Sequence, residues 1–131
     1  MGGAAFAMKV DFLKEGVDDC PMVRLYDFRS SDVQHLIETF EALASGTTKQ
    51  AGLEEVCPVE SVDGARLRFT RGERDRGVVR QGVSDFEVIL TGPSWEQAAG
   101  LAEPFCKSSS GYQWLTQTGK IQLLLSPTGD W

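Results

Sequence analysis

The chain has 131 residues, 41% apolar and 24% charged, with a formal net charge of -6. That length suits a single domain with a core large enough to need no staple, and the composition excludes wholesale disorder. An acidic total works against binding to phosphate backbones, and no apolar run approaches the roughly 20 residues that span a bilayer.

Three cysteines, Cys20, Cys57 and Cys106, are spaced too widely for a disulfide framework, and no C-x-x-C pair marks a zinc ribbon. Free, mostly buried thiols in a reducing cytoplasm are the expectation. Residues 1–7, small and uncharged around Phe6, lack the basic start of a secretory signal and read as a tail ahead of the domain, with Met8 as a natural start.

In chain order, residues 8–13 read as a strand with Met8, Val10 and Phe12 on one face. Gly16 to Pro21 reads as an acidic loop and 22–28 as a second strand. A helix follows, with Ser31 as N-cap and Gln34 completing a capping box. Its apolar residues Val33, Leu36, Ile37, Phe40 and Leu43 fall at helical spacing, and Gly46 is placed to end it. Residues 47–56 read as a polar connection. A hairpin around Val62-Asp63-Gly64 then sets Glu60 against Arg66, with 65–71 as its second arm.

Residues 72–77 read as a charged turn, 78–81 as a short strand, and 85–91 as another strand. Gly92-Pro93 breaks that strand. Ser94 and Gln97 repeat the capping box, and the second helix is expected to end or bend near Gly100 and Pro104. A closing hairpin at Thr118-Gly119 places Trp114 opposite Leu123 and Tyr112 opposite Leu125.

Strand, capped helix and hairpin thus occur twice, over 22–71 and 85–125. The fold class expected is α+β: a mainly antiparallel sheet with two helices on one face, built as two βαββ repeats. Residues 1–131 form one globular domain.

Six of the eight arginines, Arg66, Arg68, Arg71, Arg74, Arg76 and Arg80, fall within 15 residues. Arg66 and Arg68 alternate with Leu67 and Phe69, which puts both guanidinium groups on one face. Such forks suit carboxylate, phosphate or an acidic partner, and the competing account is a solvated face of Glu–Arg pairs with Glu60 and Glu87. The lack of interleaved aromatics disfavours nucleic acid. Trp131, last in the sequence, must be tucked back or left wet, and if exposed it is a contact candidate.

Two Cys-Pro steps, at Cys20 and Cys57, each follow an acidic pair, so a metal cluster would need the two strand starts to be neighbours. Pro at a strand start and Cys as a small apolar residue explain them more simply. His35, the only histidine, sits on the polar side of the first helix. A thiol enzyme using Cys57 or Cys106 with His35 ranks below two other readings. One is a non-catalytic binding or protein-interaction domain. The other is a small-ligand or anion-binding domain built on the arginine hairpin. No cofactor, metal or membrane is expected. Leu115 and Leu124, opposite Trp114 and Leu123, make the last hairpin the expected homodimer interface.

Overall fold

In a computed structural model, the structure describes residues 8–17, 20–116 and 118–131. The expected tail 1–7 lies outside them. Among the described residues, nine strands and three helices follow one another: β1 (Met8–Val17), β2 (Cys20–Tyr26), α1 (Ser30–Ser45), β3 (Gln50–Gly52), α2 (Leu53–Val56), β4 (Val59–Ser61), β5 (Arg66–Arg71), β6 (Gly77–Arg80), β7 (Asp85–Leu90), α3 (Gly92–Ala102), β8 (Gln113–Thr116) and β9 (Gln122–Ser126).

They form two sheets of order β4-β1-β2-β9-β8 and β3-β5-β7-β6. Four pairings are antiparallel, β1–β2, β3–β5, β6–β7 and β8–β9, and three are parallel, β1–β4, β2–β9 and β5–β7. The expected mainly antiparallel sheet is therefore corrected to two mixed sheets. Three of the antiparallel pairs join neighbours in sequence through short loops, and β3–β5 closes over α2 and β4. The parallel pairs need long crossovers, and no local turn signal announces those.

One rule generates most of this topology. Each half runs antiparallel pair, helix, antiparallel pair, as β1–β2, α1, β3–β5 and then β6–β7, α3, β8–β9, with α2 and β4 inserted between β3 and β5. The second strand of each opening hairpin pairs in parallel with the last strand of the other half, β2 with β9 and β7 with β5. Each sheet therefore contains chain from both halves. A bridge between Val78 and Ile121 ties the sheets together, and Phe12 and Phe86 stack across them at 4.8 Å.

The amphipathic spacing of α1 buries Val33, Leu36, Phe40 and Leu43 in the same core as Trp95 and Ala98 of α3. Phe40 meets Trp95 at 5.1 Å, so the helices pack on each other and on both sheets, not on one face of one sheet. Gly46 ends α1 at φ 83°, with its N–H on the Leu43 carbonyl, as its place in the sequence predicts. α3 gives way at Glu103 to a 3-10 turn through Pro104.

Several local expectations change. Neither predicted cap is used. α1 begins at Ser30, where the backbone N–H of Arg29 donates to Asp32 (2.9 Å), and Ser31 and Gln34 lie inside the helix. α3 begins at Gly92, ahead of Ser94, because Pro93 is at home in a first turn. Residues 47–56 are not a bare connection, since they supply β3 and α2. The acidic loop is shorter than predicted, with β1 reaching Val17 and pairing it with Cys20.

The hairpin at 62–64 is absent. Val62–Gly64 is a 3-10 turn that carries the chain from one sheet to the other. β4 joins β1, so Glu60 pairs with Lys9 and not with Arg66. In the last hairpin a register shift sets Trp114 against Leu124 and Gln113 against Leu125, so the pairs Trp114–Leu123 and Tyr112–Leu125 do not form. Leu115 and Leu124 are buried within this one chain, which removes the expected apolar dimer face. No helix among the described residues is long and apolar enough to cross a membrane.

Candidate functional site

Alternation along β5 buries Leu67 and Phe69 and turns Arg66, Arg68 and Thr70 outward. The parallel register with β7 sets Arg66 beside Asp85 and Arg68 beside Glu87. The antiparallel register with β3 sets Thr70 beside Gln50. The outer face of the second sheet is therefore polar across three strands.

Glu87 is the centre of that face. It is 9% exposed. Its carboxylate accepts from the Thr70 hydroxyl (2.5 Å), Gln81 Nε2 (2.9 Å) and Gln50 Nε2 (3.4 Å), and Arg68 Nη2 stands 3.8 Å away. A mostly buried carboxylate needs such donors to offset desolvation. In the sequence Glu87 stands out only as a partner for arginine, and Gln50, in a polar stretch without strand periodicity, carries no signal of its place on this face.

The six arginines do not form one surface. Arg71 turns back to cap α1, donating from Nη1 to the carbonyls of Leu43 (2.8 Å) and Ala44. A cation at that helix end suits the unpaired carbonyls and the dipole. Gly92 leaves room for it: a Cβ there would stand 2.6 Å from Arg71 Nη1 and 2.8 Å from the Ala44 carbonyl. Arg80 donates to the carbonyls of Gly82 (3.1 Å) and Val83 (2.6 Å) and lies over the rings of Phe12 (4.9 Å) and Phe86 (5.7 Å). Both are structural. Arg66 and Arg68 remain on β5, and Arg74 and Arg76 in the turn after it, all exposed. Among the described residues, the side chains of Arg66, Arg74 and Arg76 make no hydrogen bond or ion pair. Arg66 also lines a cavity of about 140 Å³ between the sheets, shared with Glu54.

Trp131 is 45% exposed and lies on the other sheet. Arg24 holds it there. Its guanidinium grips Asp11 at 2.6 and 3.1 Å, stacks on Tyr26 at 4.0 Å, donates to the Gly129 carbonyl at 2.8 Å and reaches the Trp131 ring at 5.8 Å. Asp11 and Arg24 are register partners on β1 and β2. Outward alternation on two adjacent strands was the signal that could have found them.

Among the described residues, no hydrogen bond joins His35 to Cys57 or Cys106. Cys57 is buried, and burial, reinforced by Asp32, pushes its thiol up to about 12. His35 faces solvent with Nδ1 3.9 Å from Glu38. The strand starts after Cys20 and Cys57 are not neighbours either. β4 meets β1 at Met8–Val10, whereas Cys20 pairs with Val17 at its far end, about 30 Å away at strand rise. No group of three or more His, Cys, Asp or Glu able to hold a metal occurs among the described residues.

The buried thiol yields a pH prediction. An acid with a raised native pKa favours folding while protonated, so its contribution is complete below about pH 9 and lost as pH rises toward about 12. Native Cys57 should alkylate with iodoacetamide about a hundredfold or more slower than it does in urea. A native rate equal to the denatured one would mean that the thiol is accessible. Comparison with family models, with curated proteins and with solved structures finds no match to this chain.

Proposed function

We propose that this is a non-catalytic binding domain whose arginine-bearing second sheet takes an acidic protein surface. The observation that carries the reading is the division of labour among the arginines. In a chain of net charge -6, Arg71 and Arg80 are consumed by the fold, while Arg66, Arg74 and Arg76 stand exposed without a polar partner among the described residues. Arg66 and Arg68 are held on a strand, and Glu87 with its three donors stiffens the face beneath them. The planar guanidinium fork loses less freedom per hydrogen bond to a carboxylate than an ammonium group does.

A free small anion is the weaker alternative. The cavity beside Arg66 also holds Glu54, which repels such a ligand, whereas an extended acidic surface can meet arginines spread from β5 into the next turn. The shared pairing scheme of the halves supports reading the chain as two βαββ repeats, with this face contributed mainly by β5 and β7.

The test is retention on immobilised polyglutamate, comparing wild type with Arg66→Glu/Arg68→Glu. Wild-type retention should fall with salt. The variant should bind at least about tenfold more weakly. Its stability should fall by about 1 kcal/mol, because each new carboxylate stands beside Asp85 or Glu87, a loss that leaves the protein folded and separable from the change in retention. Equal retention of the two proteins would remove the arginine face from the function.

A further inference from the structure

A second site lies away from the arginine strand, in a cleft of about 270 Å³ between the turn after β5, α3 and β8. Leu90 and Leu115 line it and are buried. Its walls are polar, from Asp75, Ser94, Gln97, Thr116 and Thr118, with Trp114 at one side.

Its hydrogen-bonding capacity can be read atom by atom. Asp75 Oδ1 accepts from the Thr91 backbone N–H (2.8 Å) and hydroxyl (3.0 Å), and Oδ2 accepts from the Ser94 hydroxyl (2.7 Å). These donors hold the carboxyl below the usual carboxylate range, so it is an ionised acceptor with capacity left on Oδ2. Thr116 is 8% exposed, and its Oγ1 accepts from the Thr118 N–H at 3.2 Å. Its own O–H has no acceptor among the described residues and is left to donate. Gln97, on the exposed side of α3, offers a donor and an acceptor with no side-chain partner among the described residues. Trp114 is half-buried and meets the exposed Tyr112 edge-on at 6.3 Å, which gives the cleft an aromatic rim.

Asp75 is the one formal charge among the lining residues. It repels an anion. Three donors already share its charge, and Arg74 and Arg76 flank it in sequence, so it recruits a cation poorly while keeping room on Oδ2 for a hydroxyl. What remains is a ligand that is uncharged, carries donors and acceptors close together, and has an apolar face to lay on an indole. We infer that this cleft binds a neutral polyhydroxyl ring, a monosaccharide unit, with Trp114 under the ring and Asp75, Gln97 and Thr116 on its hydroxyls.

The experiment follows the Trp114 indole N–H by proton–nitrogen NMR in the full chain. The probes are glucose, galactose, mannose and N-acetylglucosamine, each titrated to about 100 mM, a range that covers millimolar affinity. At least one sugar should shift the Trp114 signal saturably and leave that of buried Trp95 in place. Gln97→Ala, at an exposed helix position, should weaken that binding about fivefold, the worth of one hydrogen bond, with melting temperature unchanged. Trp114→Ala, which removes that reporter, should abolish the shifts that the same sugar causes at the side-chain amide of Gln97. No saturable shift with any of the four sugars would overturn the assignment. So would undiminished binding by Gln97→Ala, and so would saturation by acetate or tetramethylammonium in place of the sugars.

Discussion

Replacing Trp95 with alanine is expected to destabilise the protein by about 4 kcal/mol, the usual size for a large aromatic removed from a packed core. Trp95 is 1% exposed. It packs on Phe40 of α1 at 5.1 Å and on Phe69 of β5 at 5.6 Å. Its Nε1 donates to the Thr70 carbonyl at 3.0 Å. One side chain thus joins both helices to the centre of the second sheet. Trp95→Phe keeps much of the ring volume but strands that carbonyl, so it should cost less than the alanine variant while still exceeding about 1 kcal/mol. Urea denaturation at constant slope measures both. A loss below about 1 kcal/mol for alanine would mean that the three rings do not form the centre of the core.

Thr70 also links that core to the outer face. Its backbone takes the indole proton, and its hydroxyl donates to Glu87. The residue that positions Glu87 beneath Arg68 is therefore fixed from the opposite side of the sheet by Trp95. The arginine face inherits its rigidity from the best-packed part of the molecule, as a binding surface made of strands does more readily than one made of loops.

The sequence makes the strongest periodicities legible. α1 is visible because five apolar residues recur on one stripe and Gly46 stops it. Strand β5 is visible because Arg66 and Arg68 alternate with Leu67 and Phe69. The N-cap of α1 departs from the Ser31 expectation for a physical reason. Ser-x-x-Gln fits the capping box by type, but Asp32 sits one residue after Ser31 and, as a carboxylate, binds the Arg29 N–H more strongly than an amide can. The β4–β5 hairpin was misread because Val62-Asp63-Gly64 does have turn chemistry. Asp63 and Gly64 take φ 56° and 75°. Two successive left-handed residues turn the chain into another sheet, and no hairpin closes across them.

Long-range partnerships were the illegible part. Arg71 caps a helix that ended 26 residues earlier, and Arg80 is drawn onto Phe12 from the other sheet. Neither contact has a sequence spacing to betray it, so six arginines looked equivalent when two were structural. The same holds for β2 with β9 and β5 with β7. Their parallel register depends on how the halves interlock, and the pattern within either strand does not encode it.

Gly77→Ala is the other substitution expected to be severe, at about 3 kcal/mol or more. Gly77 has φ 72°, and a Cβ there would press directly onto the Thr118 carbonyl oxygen. From the other side, Gly119 has φ 84°, and its Cβ would stand 3.0 Å from the Arg76 carbonyl oxygen. The turn after β5 and the β8–β9 turn thus lie back to back through their main chains. The contact sits next to the Val78–Ile121 bridge, where the sheets join. Gly64→Ala is the control. Gly64 has φ 75°, but a Cβ there meets nothing within 4 Å, so it should cost only the left-handed penalty of about 1 kcal/mol. The difference between the two variants isolates the close approach from the backbone strain. Denaturation curves that place Gly77→Ala level with Gly64→Ala would show that the turns do not touch. If Gly77→Ala is the worse by the expected margin, the turn carrying Arg74, Asp75 and Arg76 is pinned to the β8–β9 hairpin, and the wall of the polar cleft is set by the joint that holds the two sheets together.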